Sequence, residues 1–247
     1  MRIDEKKCIG CGICIPYCPV TAISIQNRVA VIDQDQCLEC GNCIRERVVK
    51  CPGHAIYEPE ENRNSVRRYR RFFSDPSVST PTGIAGRGTE EVKTNDVTGR
   101  VCRGELGIAV EMGRPCLGTK LSELEKVFAP LAQMGVHFEE CNPTTQILED
   151  QKSGKVREDL REEKVVSAII ETKIPIEQAE EVLKKIKEIA GEIDTVFSLD
   201  VICCYDEDGT LPILPVLQKL GMPPRMNGKV NLGMGRPYKI CKEKGGN

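Results

Sequence analysis

Eight of the first 51 residues are cysteine, and they fall into two runs. Cys8, Cys11, Cys14 and Cys18 follow the spacing C-x2-C-x2-C-x3-C, with Pro19 directly after. Cys37, Cys40 and Cys43 repeat the first three positions, and Cys51 with Pro52 arrives after seven residues instead of three. A segment this short cannot bury enough apolar surface to hold itself together, so the thiols must supply cross-links or ligands. The repeat extends beyond them: "RIDEKKC" matches "VIDQDQC", and "CPVTAISI" matches "CPGHAIYE". Each half therefore reads as strand, loop, short turn, strand. Asn27-Arg28, between Ile23–Gln26 and Val29–Ile32, reads as the tip of a hairpin joining the halves.

The compartment decides between disulfides and metal. The N-terminal MRIDEKKC lacks the apolar core of a signal peptide, which predicts a cytoplasmic protein. Thiols there are kept reduced, so clustered cysteines argue for metal. No stretch approaches the roughly 20 apolar residues of a bilayer span. With 35 basic against 37 acidic side chains, nothing pulls the whole chain toward nucleic acid or an anionic membrane.

Three thiolates two residues apart wrap a small loop around three irons of a cubane, while the proline turn carries the fourth away. Gly10, Gly12 and Gly41 stand inside these loops, where backbone must approach inorganic sulfur closely. Tetrahedral zinc on C-x2-C pairs is the alternative, and a purely structural staple is another. On this spacing, repetition and Cys-Pro pairing, residues 1–60 resemble the bacterial-type two-[4Fe-4S] ferredoxins. The resemblance implies two [4Fe-4S] clusters with crossed ligation. Cys8, Cys11, Cys14 and Cys51 would hold one, and Cys37, Cys40, Cys43 and Cys18 the other. The insert Ile44–Lys50 departs from the short spacing by four residues and adds Arg45, Arg47 and Lys50. It reads equally as a docking knob for an acidic partner or as solvated surface. His54 is expected to face solvent or bond backbone, not ligate iron.

Composition shifts after Tyr57. A bridge over 61–104 begins with Arg63, Arg67, Arg68, Arg70 and Arg71 around Tyr69, Phe72 and Phe73. Such interleaving can bind single-stranded nucleic acid, but on a near-neutral chain it reads better as a strap packed on a domain or a partner subunit. Gly86-Arg87-Gly88-Thr89 offers amides to a phosphate yet matches neither the P-loop nor the dinucleotide fingerprint. It is expected as an ordered loop against another subunit.

From 105 to 220 the periodicity is regular. "ELGIAVEM" alternates as a strand, and Leu121, Leu124, Val127, Phe128, Leu131 and Met134 form a helical stripe that Pro130 should kink or divide. "VHFEEC", "TQILED" and "KVVSAIIET" read as strands. Pro175 opens a second helix with Ile176, Ala179, Val182, Leu183, Ile186 and Ile189 on one face and Gly191 at its end, and "VFSLDVICCY" returns as a strand. The order predicts an α+β chain: a pseudo-symmetric ferredoxin domain followed by a split βαβ plait, similar in topology alone to ACT-type sensing modules. Residues 221–247 form an aperiodic arm expected to order against a partner. Cys203 suits a core strand, while Cys102, Cys116, Cys141 and Cys204 are candidates for a further site if the fold brings them together. Cys241 lies in the arm, and His137 reads as a satisfied strand residue.

These features predict an iron-sulfur electron-transfer protein without a catalytic constellation of its own. The expected role is the ferredoxin-like subunit of a larger anaerobic oxidoreductase, relaying single electrons between a flavin or metal centre and a soluble carrier. The expected partners are the other subunits, flavin- or metal-containing, and the carrier, with no nucleic acid and no membrane span. A redox or metabolite sensor with an ACT-like plait is the alternative, and an enzyme using the plait and spare cysteines is a third.

Overall fold

The computed structural model describes residues 1–45, 47–80, 83, 86–88, 95, 99–114 and 117–226. Four short strands frame the N-terminal segment: β1 (Arg2–Ile3), β2 (Ile23–Gln26), β3 (Val29–Ile32) and β4 (Ile56–Tyr57). β1 pairs antiparallel with β4, and β2 with β3. Asn27 and Arg28 turn the β2–β3 hairpin with φ of 49° and 67°, the two left-handed residues that a type I′ tip requires. The sequence repeat is also a repeat in space. Asp4 N–H donates to the Ala55 carbonyl at 2.7 Å, and Asp33 N–H to the Ala22 carbonyl at 2.8 Å. The end of each half thus lies beside the start of the other. The apolar core between them is small: Met1, Ile23, Ala30, Ile32 and Val49, completed by Cys14 and Cys37.

The arginine-aromatic stretch folds inward as two short helices, α1 (Glu60–Asn64) and α2 (Arg68–Ser74). Phe73 enters the main core, with Tyr69 and Phe72 packed against it. Arg63 and Arg71 pair with Glu58. Arg70 is buried and bridges the two halves of the chain. Its Nη1 donates to the carbonyls of Gln34 (3.0 Å), Asp35 (3.3 Å) and Cys37 (2.8 Å), and its Nε to Glu163 at 2.5 Å. Of the strap's expected partners, a domain of the same chain is the one these contacts involve.

The larger part of the chain is built on β5 (Glu105–Met112), β6 (Thr119–Lys120), α3 (Leu121–Gln133), β7 (Leu148–Asp150), β8 (Lys155–Val156), β9 (Lys164–Val165), β10 (Ala168–Pro175), α4 (Ala179–Ile189), β11 (Phe197–Cys203) and α5 (Leu214–Lys219). A three-stranded sheet runs β10-β5-β11, and both outer strands are antiparallel to β5. β10 and β11 are therefore parallel to each other, with α4 carrying the chain between them. Leu106, Ile108, Val110 and Met112 point to the helices and join Leu121, Leu124, Phe128, Val182, Leu183 and Ile186 in one core. The alternating β5 pattern and the helical stripes meet there, as period two and period 3.6 demand.

Several elements differ from their sequence expectation. α3 runs unbroken through Pro130 and ends three residues later at Gln133, so the lost hydrogen bond falls in its last turn. Pro175 closes β10, and a 3-10 turn (Ile176–Gln178) precedes α4. "VHFEEC" shrinks to one bridge, Phe138 to Thr172, on the outer edge of β10. Beyond it the Asn142 Nδ2 and Thr144 Oγ1 side chains bond the Ile169 carbonyl at 3.0 and 2.9 Å, taking the place of further ladder bonds. "TQILED" splits into a 3-10 turn (Thr145–Ile147) and β7, which pairs with β8. The Arg87 carbonyl accepts from Ile169 N–H at 2.9 Å, and Arg87 pairs with Glu111. This part of the glycine-rich bridge is therefore stapled to its own sheet, while Thr89 lies outside the described residues. Most of the 221–247 arm also lies outside them. Among the described residues no helix is long and apolar enough to cross a membrane.

Candidate cluster-binding site

The strand pairs decide which thiols meet. With β4 drawn onto β1, the Cys51 turn sits at the first loop, and Cys8, Cys11, Cys14 and Cys51 line one cavity of about 350 Å³, counting its open mouth. The β2–β3 hairpin folds the Cys18 turn back in the same way. Cys18, Cys37, Cys40 and Cys43 line a second cavity of about 340 Å³. The eight predicted cysteines are thus sorted into two crossed quartets.

Equivalent positions of the repeat adopt equivalent backbone. Gly12 and Gly41 share φ of 73°, and Thr21 and His54, each three residues after its Cys-Pro cysteine, have φ of 51° and 47°. That left-handed kink turns the next amide back onto sulfur. Ala22 N–H approaches Cys18 Sγ at 3.2 Å, and Ala55 N–H approaches Cys51 Sγ at 3.4 Å. His54 therefore serves the turn through its left-handed backbone. Ala30 N–H adds a contact to Cys8 Sγ at 3.3 Å. Amides aimed at sulfur stabilise thiolate and are a lever on cluster potential.

Gly10 has φ of +67°, and a Cβ there would stand 2.1 Å from the Arg28 carbonyl oxygen. Gly10→Ala should therefore displace the loop between Cys8 and Cys11. Iron analysis should find the first quartet depleted and the second intact, and full iron loading would contradict this. At the equivalent place in the second run stands Glu39, also left-handed with φ of 55°. No sequence reading singled out this residue. Its buried carboxylate takes the Met1 ammonium, Arg67 Nε at 2.5 Å and Asn62 Nδ2 at 3.3 Å, so a side-chain anchor replaces glycine's freedom. The repeat alignment with Gly10 is the signal that could have found it.

The thiols repel one another as thiolates. Burial first, then neighbouring cysteines, push Cys14 and Cys40 up, and Cys43 up to about 12. The neighbours acting on Cys14 are Cys11, Cys51 and Cys8, whereas those acting on Cys43 are Cys37, Cys40 and Cys18. Each quartet is therefore electrostatically coupled within itself, and a cationic metal core is what would offset that repulsion.

Arg45, from the insert, is spent on Asp75, which also receives Arg71 Nη2 at 3.2 Å and the Ser77 hydroxyl at 2.6 Å. Asp75 is only 1% exposed, and its carboxylate braces Gly41 in the second loop. Burial raises its pKa, but the Ser77 bonds and both guanidiniums outweigh that and hold it below the usual carboxylate value. Asp75→Ala takes the carboxylate from Arg45, which is 36% exposed, while Arg71 keeps Glu58, and should cost about 1–3 kcal/mol, read as a lowered denaturation midpoint. An unchanged midpoint would rule out the brace.

Among the described residues no group of three or more His, Cys, Asp or Glu side chains is placed to hold a single metal ion. Cys141 is exposed, Cys203 and Cys204 are half-buried, and Cys102 is disulfide-bonded. Cys116 and Cys241 lie outside the described residues. His137 is exposed, and its carbonyl accepts from the Thr172 hydroxyl.

Residues 1–24 match the 4Fe-4S binding domain family. Over 29 residues, 12% of this chain, the sequence is 52% identical to Ferredoxin-2 of Desulfomicrobium norvegicum. The match spans 49% of that relative, about half its length. No solved structure matches the chain.

Proposed function

We propose, from a ferredoxin-type 4Fe-4S segment at the N-terminus, that the chain binds two [4Fe-4S] clusters and relays single electrons through them. The observation that carries this reading is the sorting of eight thiols into two crossed quartets around cavities of nearly equal size. Cys8, Cys11, Cys14 and Cys51 would hold one cluster, and Cys18, Cys37, Cys40 and Cys43 the other. Bound there, each cluster supplies a one-electron redox centre. The chain's own residues position the thiols and aim amides at sulfur. Zinc fits less well, because a single ion needs four donors converging at about 2.3 Å from one point, and these thiols line cavity walls instead.

In this reading residues 105–220 are a split βαβ plait, supported by parallel β10 and β11 flanking β5. A carrier that only diffuses needs about the first sixty residues. Here Arg70 ties that segment, at the Gln34 and Cys37 carbonyls, to Glu163 of the larger body, which suits the ferredoxin-like subunit of a larger anaerobic oxidoreductase. The sensor reading gains no support from the sheet face turned away from the helices. Val101 and Gly88 already lie on it, against Gly107 and Ile169.

Anaerobic purification of the native protein tests the subunit role. A flavin- or metal-containing polypeptide should co-elute at fixed stoichiometry and be reduced by, or reduce, the bound clusters. A lone monomer that exchanges electrons solely with free carriers would remove the subunit role and leave the relay.

A further inference from the structure

Resting on the electron-transfer reading, we propose that the open mouth of the first cysteine cavity docks an acidic one-electron carrier protein. The two cavities differ in what covers them. At the second, buried Leu38 lies against Gly118 and Gly41 against Asp75, so the chain's own larger part covers one side, while Tyr17 stands 42% exposed at the other. At the first, Cys11 is exposed. Ile9 and Ile13, which line the cavity, are 68% and 42% exposed. A partner that covers these side chains removes apolar surface from water, which favours docking there.

The residues that flank this mouth's cysteines in sequence, and the hairpin tip beside Gly10, are rich in cations. Lys7 directly precedes Cys8, Lys50 directly precedes Cys51, and the Arg28 carbonyl abuts Gly10. Lys6, Lys7, Arg28 and Lys50 are all exposed. Lys7 reaches Asp4 at 3.5 Å with 61% of its side chain in solvent, a weak surface contact. Among the described residues Lys6, Arg28 and Lys50 form no ion pair. Counted along this flanking sequence, Lys6, Lys7, Arg28 and Lys50 against Asp4 and Glu5 give +2, on a chain whose formal net charge is −2. The mouth thus opposes the charge of the molecule as a whole. A partner with an acidic rim around its redox centre would be steered here in preference to the rest of the surface. Arg45 takes no part, because Asp75 holds it. One electron passes per encounter: this protein is oxidised by one, the carrier is reduced by one, and no bond changes.

The test uses the full-length holoprotein, reduced anaerobically and freed of reductant. It is mixed rapidly either with an acidic flavin mononucleotide protein or with a small neutral quinone. The rate with the flavoprotein should fall as ionic strength rises from about 0.01 M to about 0.15 M, where the screening length shortens from about 30 Å to about 8 Å. Lys6→Glu combined with Lys50→Glu should lower the low-salt rate about tenfold, with quinone reduction and iron content unchanged. A flavoprotein rate that rises with salt, or that ignores the charge reversal while the quinone rate is normal, overturns the docking site alone. Failure to reduce even the quinone overturns the electron-transfer reading and this proposal together.

Discussion

Cys51→Ala is expected to empty the cavity of Cys8, Cys11 and Cys14, although Cys43 is the nearest cysteine in sequence. Iron per chain should fall from about eight to about four, the loss of one cubane. Double variants sharpen the result, because defects within one ligand set do not add while independent sites do. Cys51→Ala with Cys11→Ala should lose no more iron than Cys51→Ala alone. Cys51→Ala with Cys40→Ala should lose nearly all of it. The reverse pattern would mean that each run keeps its own fourth cysteine, against the crossed quartets that line the two cavities.

Arg70→Met should be the most damaging change outside the cysteines. Arg70 is 6% exposed and spends its donors on three carbonyls of the second ligand loop and on Glu163. Methionine fills part of the volume but leaves a carboxylate and three carbonyls facing an apolar side chain. Removing one partner of a buried pair costs about 3–5 kcal/mol. In the parent, cluster absorbance and far-ultraviolet dichroism should be lost together in denaturant. In the variant the absorbance should bleach first, because the ligand loop is released before the large core unfolds. Coincident, unshifted transitions would show that Arg70 does not couple the two parts.

The N-terminal segment was legible because its constraints are local. Cysteine spacing, Cys-Pro turns and the Asn27-Arg28 tip each determine a few neighbouring residues, and the repeat states them twice. The β5 alternation and the stripes of α3 and α4 were legible for a related reason, since a long amphipathic period has one way to face a core. Positions ruled by distant partners were not. Glu39 looks like an exposed loop acid until Met1, Arg67 and Asn62 are seen around it. The arginines of α2 read the same whether their acceptors belong to this chain or another, and the structure supplies Gln34, Cys37 and Glu163 from within. The stretch at Phe138 alternates as a strand should, yet Asn142 and Thr144 side chains end its pairing. In the cysteine loops, by contrast, matching residues of the two halves take matching left-handed angles, so comparing the halves foretells geometry that neither half shows alone.

The central claim, two four-iron clusters on crossed cysteine quartets, is tested most directly by metal and acid-labile sulfide analysis of anaerobically purified full-length protein. The account predicts about eight irons and eight sulfides per chain, no stoichiometric zinc, and two interacting one-electron centres on reduction. Bound zinc without sulfide, or a single four-iron cluster in fully loaded protein, would contradict it.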